Sequence, residues 1–287
     1  MAILLDPLAP APRGQWSGHG VRVRRRTSSD HHGHGVCTPR FCTHRDGTAL
    51  TVEHDVTPDE LSDELAVLLA DDLVSSGALL GQDEFELVFT GVVRSTVDGG
   101  APAWLRFYRN SLARLESGDT AFAPVHQRAE ELLTGTQVVD LGSCFGFFPL
   151  RLAHHGFEVT ATDLSAPTMR LLDLASRALR RPLRTAVCNA AGVPLPDHSA
   201  DTVTALHLLE HLDDGTIGAV LSEALRLARR RVVVAVPFEE HPQECYGHIQ
   251  RFSSARLQQL GTRLCAEHPG LTATVDEFHG GWLTLDL

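Results

Sequence analysis

Short apolar runs alternate with longer amphipathic segments from Pro124 onward, and this alternation dominates the pattern of the chain. Runs such as RVVVAV, residues 231–236, lack polar alternation, which is typical of strands buried on both faces of a parallel sheet. The pattern predicts an α/β fold, a doubly wound (Rossmann-like) sheet of seven mostly parallel strands, within residues 121–287. The predicted strands are 137–141, 157–162, 183–188, 201–206, 231–236, 271–277 and 281–286, and the predicted helices are 124–133, 147–155, 166–180, 215–229 and 253–265.

The pattern upstream predicts a different kind of region. TPDELSDELAVLLADDLV, residues 57–74, opens with a capping threonine and repeats its leucines at helical spacing, so it predicts an amphipathic helix. FELVFTGVVRS (85–95) and PAWLRFYRN (102–110) are rich in aromatic and β-branched residues and flank the turn signal DGG. They predict a β-hairpin. We therefore expect an α+β region over residues 51–120, which would serve as a lid or a substrate platform.

The first 50 residues differ again in composition. Prolines and glycines recur through residues 1–20, which favours a flexible arm without regular structure. The following run, HHGHGVCTPRFCTH, fits no standard zinc finger, so a polar segment is the favoured interpretation and a zinc site stays an alternative. Its metal-binding side chains are His31, His32, His34, Cys37, Cys42 and His44. Six cysteines scattered over 287 residues need no disulfide framework, so reduced thiols are expected.

Charge and composition narrow the possible partners. The chain has 36 acidic and 25 basic residues, a formal net charge of −11, which disfavours a nucleic-acid partner. All the basic residues are arginines, so lysine-based covalent catalysis is excluded. No apolar stretch of about 18 residues could span a membrane, and the opening MAILLDPLAPAPRG is too rich in proline for a signal peptide. We expect a cytoplasmic protein with a small-molecule or glycosylated substrate, whose oligomeric state stays open.

The stretch VVDLGSCFGFF, residues 138–148, carries the first chemical signal. A buried strand ends in an acid, Asp140, and is followed by Gly142 and Gly146. The glycines allow the backbone to bend and a helix to begin close to a ligand, so the stretch predicts a nucleotide-binding loop at the carboxyl edge of the sheet.

Two further strand ends carry polar groups at the same expected edge. Asp163 closes the next strand, where a carboxylate can bind both hydroxyls of a ribose. Asn189 and Ala190 follow the third strand, where an amide can meet an adenine ring. A fourth strand runs through Leu206 into the segment HLLEHL.

These motifs, in this order and at these intervals, resemble the class I S-adenosylmethionine-dependent methyltransferase family over roughly residues 120–287. A dinucleotide dehydrogenase is the structural rival, but its G-x-G-x-x-G fingerprint is not met, and a sheet without any cofactor is a further alternative. The chain departs from the family pattern at Cys144, which replaces a third glycine, and at Asn189, which replaces an acid. Both departures affect the expected affinity for the cofactor more than its identity.

The resemblance implies S-adenosylmethionine as the cofactor and assigns a part of it to each motif. Asp140 and Gly142 would hold the methionine end, Gly146 would lie along the cofactor, and Asp163 would bind the ribose. Asn189 and Ala190 would bind the adenine. The neighbouring residues Ser143, Cys144, Leu164 and Leu206 complete the expected cofactor site.

A methyltransferase that acts on a hydroxyl must also remove its proton. His207, His211 and His248 are the candidate bases, with Glu210 as a residue that orients one of them; each histidine could instead cap a helix or contact the cofactor. A set of four possible hard ligands follows the strand 231–236, but without a diagnostic spacing, so no metal is predicted. These are Glu239, Glu240, His241 and Glu244.

The whole chain, including the His- and Cys-containing run, is also similar to the methyltransferases associated with mycofactocin gene clusters. This similarity implies O-methylation of a glucose hydroxyl in an oligosaccharide. Aromatic side chains could stack on such a sugar, although the core is the better assignment for two of them, Trp104 and Trp282. The candidates are Trp16, Trp104, Tyr108 and Trp282. A small aromatic or quinone acceptor and a noncatalytic scaffold module remain alternatives.

Overall fold

The computed structural model describes residues 6–26 and 35–287. The chain divides into two compact units. The first comprises Met1–Arg114 with Glu244–Gly247, and the second comprises Leu115–Gln243 with His248–Leu287. Within the described ranges, the structure has no helix that is both long enough and apolar enough to cross a bilayer.

The first unit contains a five-stranded sheet in the order β1-β2-β5-β4-β3. Its strands are β1 (Gln15–Gly18), β2 (Val21–Arg25), β3 (Val36–Cys37), β4 (Phe41–Asp46) and β5 (Ala49–His54). The helices that follow are α1 (Glu64–Leu69), which continues as a π-helical turn over Ala70–Val74, α2 (Gly81–Thr96) and α3 (Gly100–Ser117). Helix α2 lies so close to the sheet that a Cβ on Gly91 would stand 2.3 Å from Cγ2 of Val23.

Strands occupy much of the described part of residues 1–50, although its composition favoured an arm without regular structure. Trp16, Val21 and Val23 are buried in this sheet, and burial of these apolar side chains outweighs the cost of ordering glycine-rich segments. The mobility of the segment, and the role of the region 51–120 as a lid or platform, stay predictions.

The expectation of reduced thiols is wrong for one pair of cysteines. Cys37 and Cys42 form a disulfide, because the antiparallel register of β3 and β4 places them directly opposite each other with their Cα atoms 4.1 Å apart. Of the zinc candidates, His31, His32 and His34 lie outside the described residues.

The predicted hairpin is also wrong, because both of its segments lie in helices, α2 and α3. In α3 the buried side chains include Trp104, Phe107, Tyr108 and Ser111, which recur at the spacing of one helical face. Aromatic content suggested strands, but this spacing suits a helix buried in an apolar core. The turn signal DGG joins two helices instead of two strands.

The predicted helix 57–74 begins later than expected, at Glu64. Thr57 and Glu60 do pair as a helix cap would, since the Thr57 amide and hydroxyl donate to Oε2 of Glu60 at 2.8 and 2.6 Å. They form a separate turn before the helix, and the buried residues Leu61 and Leu65 belong to different local structures.

The second unit has a sheet of seven strands in the order β11-β12-β10-β9-β6-β7-β8. All pairs are parallel except those of β12 with β10 and β11. The strands are β6 (Gln137–Leu141), β7 (Glu158–Asp163), β8 (Arg184–Val187), β9 (Ala200–Leu206), β10 (Ala228–Val236), β11 (Thr272–Glu277) and β12 (Gly281–Asp286). The helices are α4 (Ala123–Glu131), α5 (Phe147–His154), α6 (Ala166–Leu179), α7 (Asp214–Leu227) and α8 (Ser254–Glu267). The prediction of an α/β fold with a mostly parallel sheet is confirmed.

Both faces of this sheet are covered by helices. Along β10, Val232, Val234 and Val236 pack into a cluster that contains apolar residues of α7 and α8, whereas Val233 and Ala235 pack with residues of α4 and α5. Burial on both faces explains why β10 has no polar alternation in its second half. The carboxyl ends of β6, β7, β9 and β10 meet at one edge of the sheet, where ligands bind in folds of this type.

Candidate functional site

The loop between β6 and α5 has an unusual backbone. Gly142, Cys144 and Gly146 all adopt left-handed conformations, with φ of +67°, +48° and +72°. The amide of Ser143 donates to the carbonyl of Thr162 at 2.8 Å, and the amide of Gly146 donates to the carbonyl of Ser143 at 2.7 Å. The loop is therefore a tight turn that is pinned to β7, and Cys144 takes up the conformation that glycine would adopt more readily.

Two of these positions also lack room for a side chain. A Cβ on Gly142 would lie 2.6 Å from Cδ1 of Leu208, and a Cβ on Gly146 would lie 2.5 Å from both Cδ atoms of Leu172. Both glycines are required by backbone conformation and by close packing. The sequence correctly marked them as structural requirements of the loop.

Replacement of Gly146 by alanine is expected to lower the free energy of unfolding by about 2–4 kcal/mol, because a left-handed backbone and a steric clash add together. Gly156→Ala is the matched control: Gly156 is also left-handed, at φ +89°, but has no atom within 4 Å of the added Cβ. The control should lose only about 1–2 kcal/mol. Equal losses in urea denaturation of the two variants would contradict the packing argument.

Asp140 carries a buried carboxyl group near the carboxyl end of β6. Only 3% of the residue is exposed, and Oδ1 accepts a hydrogen bond from the hydroxyl of Thr204 at 2.5 Å. Burial raises the pKa of Asp140 to about 6, and the negative charge of Asp163 adds to this rise. Hydrogen bonds from Ser143 and Thr204 lower the pKa and so offset part of the rise. The carboxyl therefore changes its charge near neutral pH.

The loop between β6 and α5, residues 142–146, is called the glycine loop below. Asp163, at the end of β7, holds this loop in place. Its Oδ2 accepts from the amide of Cys144 at 2.9 Å, and its Oδ1 accepts from the amide of Ser165 at 2.8 Å. Each carboxylate oxygen has a second lone pair, so the group can still accept hydrogen bonds from a ligand. The next residue, Leu164, is 75% exposed, which leaves an apolar surface beside this carboxylate.

The third and fourth strand ends form the rest of the expected cofactor site. Asn189 is exposed, and its Oδ1 accepts from the amide of Ala191 at 2.9 Å, so it closes a local turn. Ala190 and Leu206 are partly buried. The side-chain amide of Asn189 keeps its NH2 group for other hydrogen bonds, because the turn uses only the oxygen.

His207 and Glu210 form a close pair just after β9. His207 has a left-handed backbone, with φ of +52°, and its Nδ1 lies 3.2 Å from Oε1 of Glu210. The imidazole ring packs edge-on against Phe122, with ring centroids 5.1 Å apart. Glu210 is completely buried, and in the part of the chain that the structure describes neither of its carboxylate oxygens has a hydrogen-bond partner.

His211 and His248 lie beside this pair. Their ring centroids are 4.8 Å apart, and the rings are nearly perpendicular. Nδ1 of His248 is 2.9 and 3.0 Å from the two oxygens of Glu239. The carbonyl of Glu210 accepts from the amides of Ile249 and Gln250, which ties the loop after β10 to the turn after β9. The four predicted catalytic residues therefore come together at one place.

Sequence reasoning missed two residues that shape this edge. Thr204 lies one strand away from Asp140 but directly opposite it in the register, a relation that only strand pairing reveals. Glu239 was considered only as a metal ligand, whereas it pairs with His248, nine residues later. An acid and a histidine that share one loop after a strand would have been the available signal.

Comparison with known families defines the class of protein. The family model described as a methyltransferase domain matches residues 139–236, from within β6 to the end of β10. This part of the chain is therefore similar to a methyltransferase domain, in agreement with the expected methyltransferase activity. The match agrees with the methyltransferase resemblance over these residues and lends no support to the dehydrogenase alternative.

Several solved structures are similar to parts of this chain at low sequence identity. A protein from Pyrococcus horikoshii OT3 is 14% identical, with a TM-score of 0.48, over 57% of this chain and 88% of that one. Magnesium protoporphyrin IX methyltransferase from Synechocystis PCC 6803, with bound SAM, is 16% identical, with a TM-score of 0.44, over 65% and 83%. A SAM-dependent methyltransferase from Aquifex aeolicus is 16% identical, with a TM-score of 0.45, over 61% and 97%. No curated protein matches the sequence.

Proposed function

We propose that the protein is an O-methyltransferase that deprotonates a hydroxyl with the histidine cluster, which consists of His207, His211 and His248 together with Glu210. The observation that carries this proposal is the position of the cluster beside the glycine loop. Leu208, whose side chain a Cβ on Gly142 would meet, directly follows His207 and lies two residues before Glu210. A methyl acceptor at the cluster would therefore lie next to the expected methionine end of the cofactor.

The residues at the edge suit the cofactor. Gly142 and Gly146 allow the tight left-handed turns of the loop, Asp163 offers carboxylate oxygens for a ribose, and Leu164 offers an exposed apolar surface for an adenine ring. Asp140 would face the positively charged methionine end. Asn189 would donate its NH2 group to the adenine.

Cofactor affinity should depend on pH through Asp140. Its pKa of about 6 lies above the ordinary value, so the neutral acid predominates below about pH 6 in the folded protein without ligand. A cationic ligand favours the ionised form, so affinity should rise with pH and be about tenfold weaker near pH 5 than near pH 8. Calorimetric titration with S-adenosylmethionine at several pH values measures this dependence.

Asp140→Asn is the control for this pH dependence. The amide keeps the shape of the side chain but cannot ionise, so its weaker cofactor affinity should be nearly constant across the same range. If the variant retains the full pH dependence of the wild type, Asp140 does not face the cationic part of the cofactor.

The chemistry divides between the cofactor and the side chains. S-adenosylmethionine supplies a methyl group that its sulfonium already activates towards nucleophiles. The protein must align the acceptor oxygen with that methyl group and remove the hydroxyl proton. The Glu239 carboxylate orients His248 through Nδ1, so Nε2 of His248 and the exposed His211 are the groups placed to contact an acceptor.

The acceptor that we propose is a glucose hydroxyl of the mycofactocin oligosaccharide. The net charge of −11 suits a neutral sugar better than an anionic substrate, and the likeness of the whole chain to the mycofactocin-associated methyltransferases supports the same assignment. The stacking role considered for four aromatic residues is not supported, because Trp16, Trp104, Tyr108 and Trp282 are all at most 5% exposed.

A small aromatic or quinone acceptor is the second candidate, and one observation favours it. Phe122 is 44% exposed and packs against His207, so an apolar ring could reach the cluster along this side chain. Phe122 and the histidines that would activate the hydroxyl would then belong to one acceptor site within the second unit.

Methyl transfer from isotopically labelled S-adenosylmethionine to a panel of acceptors tests the proposal. The panel contains glucose oligosaccharides, the mycofactocin oligosaccharide, catechols and hydroquinones, and mass spectrometry detects the labelled methyl group. Labelled glucose residues support the sugar acceptor, whereas labelled phenols alone support the second candidate. Labelling of neither class, in a preparation that binds the cofactor, would overturn hydroxyl methylation.

A further inference from the structure

Three potential metal ligands converge in the second unit. Glu210, His211 and His248 each offer one ligand atom, and these atoms all lie within 4.8 Å of one another. Two residues follow β9 and the third lies in the loop after β10, so the group forms only when the sheet brings these loops together. Two imidazoles and one carboxylate are a ligand set that binds divalent transition metals in proteins.

The carboxylate of Glu210 is buried, and its two oxygens remain available as ligands. The residue is 0% exposed, and within residues 6–26 and 35–287 neither Oε1 nor Oε2 has a hydrogen-bond partner. Nδ1 of His207 approaches Oε1 to 3.2 Å, but without the geometry of a hydrogen bond. Burial of a carboxylate without compensation is unfavourable, and coordination to a cation is one of the few arrangements that relieve it.

His248 has the environment of a metal-binding histidine. Its Nδ1 donates to the carboxylate of Glu239, with distances of 2.9 and 3.0 Å to the two oxygens. This hydrogen bond places the ring proton on Nδ1, so Nε2 keeps its lone pair for coordination. A carboxylate that orients a ligating imidazole in this way recurs in metal sites and raises the basicity of the ligand.

We propose that Glu210, His211 and His248 bind one divalent transition-metal ion, Zn²⁺ or Mn²⁺, and that Glu239 positions His248 for this role. Mg²⁺ and Ca²⁺ fit less well, because they prefer oxygen ligands. In a tetrahedral site with metal–ligand bonds of about 2.1 Å the ligand atoms lie about 3.4 Å apart, so the most widely separated of the three must close by roughly 1.4 Å. Three protein ligands leave a position open for an acceptor hydroxyl, whose pKa the ion would lower.

The test must separate this site from the histidines near the N-terminus. His31, His32 and His34 are potential ligands by their sequence, so a variant with all three replaced by alanine is the reference protein. After treatment with a chelator, the reference protein is titrated calorimetrically with Zn²⁺ and with Mn²⁺. Visible absorption of the Co²⁺-loaded protein reports the ligand set directly.

In the same reference protein, His211→Ala, His248→Ala and Glu239→Gln test the proposed ligands and the positioning residue. His268→Ala is the matched control, because His268 is exposed at the end of α8 and belongs to no ligand group found among the described residues. His211 is also exposed, so His211→Ala should leave folding intact. The thermal transition of each variant is measured beside its metal affinity.

We expect one ion per reference chain and a Co²⁺ spectrum in the visible range. His211→Ala and His248→Ala should weaken binding at least tenfold, and Glu239→Gln should weaken it by about 10–100-fold. Control affinity should be unchanged. Absence of binding in the reference protein, or unchanged affinity in His211→Ala and His248→Ala, would overturn the proposal.

These measurements need neither an acceptor nor turnover, so the metal site and the proposed function can fail separately. Loss of the metal result alone, with methyl transfer intact, would leave the histidine cluster as a metal-free base. Metal binding without methylation of any hydroxyl would support the site while overturning the proposed acceptor class.

Discussion

Replacement of His211 by alanine is expected to lower kcat for methyl transfer by about 10²–10⁴-fold, the usual contribution of a group that handles the acceptor proton. His211 is exposed at the carboxyl edge and lies against His248, so it can contact an acceptor directly or through a bound ion. The affinity for S-adenosylmethionine should change little, because none of the cofactor motifs includes this side chain. Initial rates with the methylated acceptor, beside calorimetric titration of the cofactor, measure both quantities.

His268→Ala again provides the control for this prediction, since it removes an exposed imidazole from the end of α8. Its kcat should equal that of the wild type. The pH profile adds a readout that a structural role would not change: loss of a base removes the limb of the profile that reports imidazole ionisation. If His211→Ala retains full activity, the residue takes no part in the reaction.

Asp163→Ala is expected to weaken S-adenosylmethionine binding by roughly 10²-fold, because hydrogen bonds to a charged group contribute about 1.5–3 kcal/mol. The substitution also releases the amide of Cys144, which Oδ2 holds at 2.9 Å, so the glycine loop loses one of its anchors. The loss therefore combines missing ribose contacts with a less ordered loop. Calorimetry on the purified variant gives the change in Kd.

Two further variants separate these contributions. Asp163→Asn keeps one acceptor oxygen and should lose less affinity than the alanine variant. Asp173→Ala removes a carboxylate from the outer part of α6, where it pairs with Arg177, and should bind the cofactor as the wild type does. Equal affinity of Asp163→Ala and the wild type would contradict the assignment of the ribose to this carboxylate.

Local sequence pattern predicts secondary structure better in the second unit than in the first, as β10 and α3 illustrate. In β10 the apolar run VVVAV, residues 232–236, suits a strand covered on both faces, so local pattern and tertiary structure agree. In α3 the aromatic residues suit either a strand or a deeply buried helix. The choice between them depended on a core that the sequence pattern alone does not describe.

The disulfide shows the same dependence on context. The spacing of Cys37 and Cys42 is compatible with metal binding, reduced thiols or a crosslink, and only the register of β3 with β4 places the two sulfur atoms next to each other. A pairing register depends on the neighbouring strands, so counting cysteines could not predict it.

For the candidate site, motif spacing identified the strand ends and the residues expected to meet the cofactor. Those residues lie at the carboxyl ends of parallel strands. The alternation of strand and helix patterns along the chain predicts this parallel arrangement. The pairing of Glu239 with His248, the bond from Thr204 to Asp140 and the buried, unpartnered carboxylate of Glu210 emerged from the folded chain. Each is a relation between separate loops or strands, and its energy depends on burial and distance, which long-range packing sets.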